Sequence, residues 1–269
     1  MRIRNRFAIV ILVTYALLVL VSEVTSYGTA VVDPVMARIH SRGQIRVGYD
    51  PGVLPFTTTQ NGQAAGYDID LTRALAESMQ VAVLYVPTSL DAAYDALQQG
   101  QIDLMASAMP YAPEQGWRAR FSTFYVDDGM VIVSRGRGRT LAQLSDQPVG
   151  VVFGGDGDTA LRQRRREGQT ITPVYYDSMT ELWQALACGA VNVAVVEHTT
   201  ALGMVTRDPR LQIGGALSFV PYVLVMSHDA VYLQDVVNIG LAQRLRDGTM
   251  TRLAAQWFVA AVVACPAAP

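Results

Sequence analysis

Residues 45–71, IRVGYDPGVLPFTTTQNGQAAGYDIDL, decide how this chain folds. Ile45 to Tyr49 alternates apolar and polar residues as a short strand does, and Pro51, Gly52 and Pro55 then break it into a loop that ends in Phe56. A buried strand therefore delivers a loop. Asn61-Gly62 is the favoured pair for a tight hairpin turn, and Gly66-Tyr67-Asp68 leads into an apolar-periodic run over residues 69–79. Asp68 is the expected cap of that helix.

Outward from this stretch, strands alternate with short helices. A strand is expected over 81–86, a helix over about 90–99 ended by Gly100, and a strand over 102–106, which indicates parallel βαβ units. Residues 121–124 begin a second phase, and 130–134 read as another strand. A second βα series follows: a strand over 149–153, a helix from about Asp158, a strand over 171–175, a helix over 180–187 and a buried strand over 193–196. A strand over 222–226 and two helical segments ending at Trp257-Phe258 close the chain.

The order strand, loop, Pro-Phe, turn, Gly-Tyr-Asp, helix resembles the start of the bacterial family 3 extracellular solute-binding proteins, the periplasmic receptors of polar amino-acid importers. The resemblance continues through 97–103 (LQQGQID), 107–114 (SAMPYAPE), Phe121-Ser122, 149–154 (VGVVFG), 181–196 and 247–258 (DGTMTRLAAQWF), covering residues 44–258 in unbroken order. It implies an α/β, two-lobe periplasmic-binding-protein fold (type II). Each lobe would be a mainly parallel sheet flanked by helices, with two chain crossings at the hinge. Residues 44–126 plus 222–258 would form lobe I and 131–217 lobe II, with 259–269 as a tail. A change of lobe is expected near the run Arg135-Gly136-Arg137-Gly138-Arg139. In such a fold the ligand sits where strand ends from both lobes meet, and closure traps it.

The chain has 269 residues, 51% of them hydrophobic, enough for a full core. A net charge of −2 gives no nucleic-acid surface. All 21 basic residues are arginine, which points to codon usage rather than to chemistry. Arg2, Arg4 and Arg6 precede an apolar run over 7–21 that Ser22-Glu23 end, the layout of a secretory signal within residues 1–30. Gly28 and Ala30 are candidate cleavage positions, and an uncleaved membrane anchor is the alternative. The protein is therefore expected to be periplasmic or extracytoplasmic. Cys188 and Cys265 are the two cysteines, and both are expected to be unpaired.

The resemblance also assigns a pocket: Asp50 and Phe56 from the first loop, Ser107, Ala108, Met109 and Gln115 from the next, and Gly155, Asp156 and Glu197 from lobe II. Family members that bind amino acids hold the α-carboxylate with an arginine in a pattern like S-G-M-T-I-T-P-E-R. Here residues 107–115 read SAMPYAPEQ, so Gln115 takes the arginine's place, and Pro110 and Ala112 replace hydroxyl residues. A guanidinium clamps a carboxylate through two charged bonds, whereas glutamine offers neutral donors. Arg118 or Arg120 would have to reach back to replace it. Glu197, ending VNVAVVE at 191–197, stands where the family has its ammonium-binding aspartate. In the turn Gly154-Gly155-Asp156-Gly157-Asp158, which in the family presents N–H groups to an anion, Asp156 would oppose one. Either aspartate is equally well explained as a helix cap. Tyr111, Trp117 and Tyr125 are candidate replacement faces for lost pocket aromatics, or core filling.

Together these positions imply a receptor for a cationic or neutral polar solute that works with the membrane subunits of an ABC-type importer as a monomer. A membrane-anchored sensory or transporter-associated domain is one alternative. An enzyme resembling the cyclohexadienyl dehydratases, with Glu197 or Asp156 as the acid, is the other. No cofactor is implied, and His40, His198 and His228 are too scattered for a metal set, with His198 expected in a loop. Arg162, Arg164, Arg165 and Arg166 read as a solvated helix face.

Overall fold

The computed structural model describes residues 33–145 and 147–259. The expected signal segment, the end of the tail and Cys265 lie outside them. The first described element is α1 (Pro34–Arg42), which was not expected from the residue pattern. Asp33 caps it: one carboxylate oxygen accepts from the backbone of Val35 and Met36. The other accepts from Tyr232 and Leu233, at the start of the helix Val231–Arg246. One buried acid thus serves two helix starts that are distant in sequence.

The first sheet is built on β1 (Gln44–Tyr49), which lies between β4 (Ala82–Pro87) and β5 (Leu104–Pro110), parallel to both. β2 (Thr58–Gln60) and β3 (Gln63–Ala65) form the expected hairpin, with Asn61 and Gly62 at φ 52° and 76°. Both central residues of such a turn need positive φ, which asparagine and glycine tolerate. The helix α2 (Tyr67–Ser78) starts two residues earlier than expected, and Gly66 occupies the cap. Asp68 is therefore not the cap; it sits inside the first turn, and its side chain turns into the core.

After α3 (Ala93–Gln98) and β5 come the short strands β6 (Ala119–Phe121) and β7 (Val126–Asp127). The chain then enters a second sheet with β8 (Met130–Arg135), β9 (Pro148–Val152), α4 (Asp156–Arg166), β10 (Thr172–Tyr176), α5 (Met179–Cys188) and β11 (Val193–Glu197). α6 (His198–Arg207) and β12 (Leu211–Ala216) complete it, and His198 is the first residue of a helix rather than part of a loop. β13 (Pro221–Ser227) returns to the first sheet, followed by α7 (Val231–Arg246) and α8 (Thr249–Trp257). The two sheets run β4-β1-β5-β13-β6, with β7 on β13, and β10-β9-β11-β8-β12.

Sheet membership changes between Asp127 and Met130 and again between Ala216 and Pro221. The Arg-Gly run at 135–139 is thus not where the chain crosses; it follows β8 and is held by Gly136 N–H to Arg210 O and Gly138 N–H to Gln212 Oε1. The two crossings touch backbone to backbone. A Cβ on Gly129 would stand 2.1 Å from the carbonyl oxygen of Ser218, so no larger residue fits without separating them.

Each sheet has its own core on both faces. In the first, an aromatic group of Phe56, Tyr67, Tyr125 and Phe258 packs with ring centroids 4.8 to 6.2 Å apart along its chain of contacts. In the second, Leu182, Trp183 and Leu186 of α5 pack against β11 and Met204 of α6. Cys188 at the end of α5 is disulfide-bonded, which corrects the expectation of free thiols. An oxidising compartment, which the expected secretory signal implies, favours that state.

Candidate functional site

In the first sheet, the C-terminal ends of the parallel strands β1, β4 and β5 lie at Tyr49, Pro87 and Pro110; in the second, those of β9, β10 and β11 lie at Val152, Tyr176 and Glu197. The crossings leave and enter at the same ends, because Tyr222 pairs with Pro110 and Met130 with Glu197. Both sets of strand ends therefore face one cleft beside the hinge.

On the first sheet's side, Asp50 follows β1 directly. Its half-buried carboxylate accepts from the backbone of Gly52 at 3.0 Å and of Leu90 at 3.3 Å, joining two loops at the cleft edge. Ser107 is fully buried beneath it: its hydroxyl accepts from Asp50 N–H at 3.0 Å and lies 2.7 Å from the Thr57 hydroxyl. Ser107 thus anchors the Asp50 loop, and its side chain has no free face. Ala108 and Met109 are also buried, Met109 among the residues on the sheet face that α3 covers. Ala108 has φ 46°, and this left-handed kink directs its N–H to the Asp68 carboxylate at 2.7 Å. Phe56 is 3% exposed inside the aromatic group, so it is a wall under the first loop rather than a stacking face.

Gln115 stands in a short 3-10 turn over Pro113–Gln115, and its side-chain oxygen accepts from Arg118 Nε at 2.7 Å. Arg118 does not reach the cleft. Its guanidinium lies 4.3 Å from the Tyr94 ring centre, its Nη1 approaches Asp95 at 3.5 Å, and Ala119 after it pairs with Ser227 at the opposite end of the sheet from Pro110. Arg120 donates to His228 O and Gln234 Oε1, also at that end. Neither arginine replaces the missing clamp. Trp117 is 71% exposed beside Arg118, Tyr125 is core, and Tyr111 packs edge-on against Phe121 and Phe124.

On the second sheet's side, Glu197 ends β11 and precedes α6. Burial pushes its carboxyl above the ordinary glutamate value, and the negative charges of Asp128 and Asp156 push the same way; its own backbone N–H and the Thr200 hydroxyl act against them. Asp156 is exposed at the first turn of α4, and Gly155 is that helix's cap. Asp158, by contrast, is consumed by structure: it accepts from Gly154 N–H and pairs with Arg162 through both oxygens at 2.8 and 2.6 Å.

Asp128, which the sequence analysis missed, lies in the first crossing and accepts from the backbone and hydroxyl of Thr199 at 2.9 and 2.7 Å. The Tyr222 hydroxyl approaches its other oxygen at 3.5 Å, and burial followed by the Asp128 charge pushes that phenol up to about 12. The triplet Asp127-Asp128-Gly129 just before β8 was the available signal. Two acids beside a glycine are a poor strand start and a good turn. Asp128, Asp156 and Glu197 thus stand together on the second sheet's side and Asp50 at the strand end of the first, while the neighbouring arginines that sequence suggested are turned elsewhere. Among the described residues no group of acids, histidines and cysteines is arranged to hold a metal ion, and no helix is long and apolar enough to cross a membrane.

Residues 45–260 match the profile of the bacterial extracellular solute-binding proteins, family 3, and the chain belongs to that family. It is 26% identical over 232 residues to the L-cystine-binding protein TcyJ of Escherichia coli (strain K12), covering 84% of this chain and 86% of that one. Among solved structures it is similar to an ancestral cationic amino acid solute-binding protein, with 27% identity, TM-score 0.62, and 82% and 98% of the two chains covered. It is likewise similar to an ancestral cyclohexadienyl dehydratase, with 26% identity, TM-score 0.67, and 82% and 95% covered. The two-lobe α/β architecture is thus that of the periplasmic binding proteins, and the chain is an extracytoplasmic solute-binding receptor of the kind that serves ABC importers.

Proposed function

We propose that the receptor closes on a small cationic or neutral polar solute that has no α-carboxylate, and hands it to the membrane subunits of an ABC-type importer. The observation that carries this is the charge of the cleft: Asp50, Asp128, Asp156 and Glu197 surround it, and Gln115 stands in the clamp position with its oxygen occupied by Arg118. A carboxylate ligand would meet this acidic surface without a fixed cation, whereas an ammonium or amidinium group would relieve its repulsion. In this proposal residues 44–126 with 222–258 rotate as one body against 131–217, and binding shifts the chain toward the closed state. The receptor acts as a monomer, and attachment to the membrane depends on whether the N-terminal segment is removed.

The test is thermal stabilisation and calorimetric titration against a panel of amines, amides, cationic amino acids and dicarboxylates. Stabilisation by amines or amides, with none by glutamate, supports the proposal; tight binding of glutamate overturns it. Glu197→Gln should weaken a cationic ligand about 10- to 100-fold, the scale of a charge-assisted hydrogen bond. Affinity should also fall as pH drops through the raised pKa of Glu197, since the protonated carboxyl carries no charge. Gln115→Arg should bring in binding of ordinary α-amino acids.

A second proposal, that the protein is a dehydratase, draws on the buried Glu197, whose raised pKa suits a general acid, and on the ancestral dehydratase among its structural relatives. Prephenate and arogenate are carboxylates and would need a clamp supplied by closure. Product formation from prephenate is the deciding assay.

A further inference from the structure

Beside Glu197 and the first loop lies a mainly apolar pocket of about 320 Å³. Leu54 of that loop and Trp257 and Phe258 of the first core form one wall, and Met179, Trp183 and Met204 of the second core form the other. No residue that lines it is charged. The indole N–H of Trp257 is spent on Asp70 at 2.8 Å, so that ring adds no free donor. At its mouth Leu54 is 69% exposed, apolar surface that an occupant would cover.

The polar side of this pocket is the start of α6. Glu197 at its cap, Thr200 and Met204 are spaced i, i+3 and i+7 and so share one face of the helix. The Thr200 hydroxyl donates to the Glu197 carboxylate, and Thr200 and Met204 both line the pocket. A path thus runs about 10 Å along α6, from the acid at the cleft to apolar walls. Thr199 also lines it, but its hydroxyl is held by Asp128, and Thr180 on the far wall is the remaining hydroxyl. Charge therefore sits at one end and apolar surface at the other. An apolar cavity of roughly 150 Å³ holds one benzene ring. This pocket accordingly has room for a ring, or its aliphatic equivalent, and a short chain reaching back to the acid.

We infer that the solute is an organic cation of two parts: an ammonium or amidinium head at Glu197, and an uncharged apolar body, a ring or a branched alkyl group, held in this pocket between the walls of both cores. The inference rests on the cationic reading of the cleft and narrows it from any small cation to an amphipathic one. The body touches walls from both sides, so its burial is completed as the two bodies come together, which couples recognition to closure. A second charge in the body would meet no partner there, and its desolvation cost would stand. Linear dications are therefore selected against.

The test titrates the full chain calorimetrically with ethylamine, 2-phenylethylamine and 1,4-diaminobutane. 2-Phenylethylamine should bind about 10- to 100-fold tighter than ethylamine, the scale of burying one phenyl ring, and diaminobutane no tighter than ethylamine. Glu197→Gln should weaken both monoamines alike. Thr180→Trp, which fills the pocket from an exposed position, should bring the ratio of their affinities down toward one. Equal binding of the two monoamines, or diaminobutane bound tighter than 2-phenylethylamine, overturns the inference and leaves the cationic reading of the cleft standing. Failure of every amine to bind overturns both. A ratio unchanged in Thr180→Trp puts the apolar body elsewhere and overturns the inference as well. If that variant fails to fold, Leu54→Ala, at a side chain open to solvent, should lower the ratio about threefold, and an unchanged ratio overturns the inference.

Discussion

Asp68 and Asp158 are the same residue type in the first turn of the helix that each lobe places on its sheet, and their side chains are almost equally covered, at 0% and 1% exposure. Their acidities nevertheless move in opposite directions. Asp68 has no cation: Ala108 N–H and the Tyr125 hydroxyl donate to one oxygen, the other has no partner, and burial dominates, pushing its pKa up to about 7. Asp158 is gripped by Arg162, whose half-exposed guanidinium donates to both oxygens, and its pKa is lowered. Burial of a carboxylate thus says little until its partner is known. Asp68 lies deep in the core with neutral donors only, so its desolvation cost stands, whereas Asp158 lies near the surface under the half-exposed Arg162, which stabilises its charge.

The largest effect should come from breaking the first member of the pair. Asp68→Leu leaves Ala108 N–H and the Tyr125 hydroxyl unpaired in the core, and should cost about 3 kcal/mol in denaturant unfolding. A loss below about 1 kcal/mol would mean that water or a rearranged loop supplies acceptors. Next comes Asp33→Ala, which removes the cap of both α1 and α7 and should cost about 2 kcal/mol, roughly twice a single cap. A cost no greater than one cap would show that α7 starts without it.

Asp68→Asn sharpens the comparison through pH. An acid whose folded pKa is raised binds its proton more tightly in the folded state, so its contribution to stability is greatest below the unfolded value of 3.8 and is lost as pH rises toward about 7. Relative to the Asn variant, the parent should lose about 2 kcal/mol between pH 5 and 7. Parallel curves would place Asp68 at an ordinary acidity. Asp158 has the opposite sign: its lowered pKa gives stability that is present above the ordinary aspartate range and lost only as pH falls through the lowered folded value. The smallest effect is expected for Arg162→Gln, because the pair is open to solvent on the arginine side. Its thermal shift should vanish in about 1 M salt, where exposed pairs are screened.

Much of the architecture was legible in sequence because it rests on local periodicity. The strand at 45–49, the Asn61-Gly62 hairpin and the buried run ending at Glu197 each announced themselves through alternation or turn chemistry, and each is present. The errors fell where two distant segments share one atom. Asp68 read as a cap because a cap needs only the next three residues, but its actual partners, Ala108 and Tyr125, lie 40 and 57 positions away. α1 was missed although its signals are local: Asp33 at the cap, Pro34 at the first helical position and Gly43 in the left-handed conformation at its end. At the candidate site, the sequence puts Gln115 where the resemblance expects an arginine, and the structure gives its side-chain oxygen to Arg118. That Arg118 turns to Tyr94 and Asp95, and that Asp128 joins Glu197, could not be read from the sequence, because side-chain direction depends on which strands become neighbours.

By itself the sequence determined the alternation of strands and helices, the family to which they belong and the glutamine at position 115, all properties of residue order and short-range spacing. Only the tertiary structure decided which acids face the cleft, which arginines are occupied elsewhere, and which buried carboxylate is made a weaker acid, because each depends on the dielectric surroundings and partners that distant segments bring together.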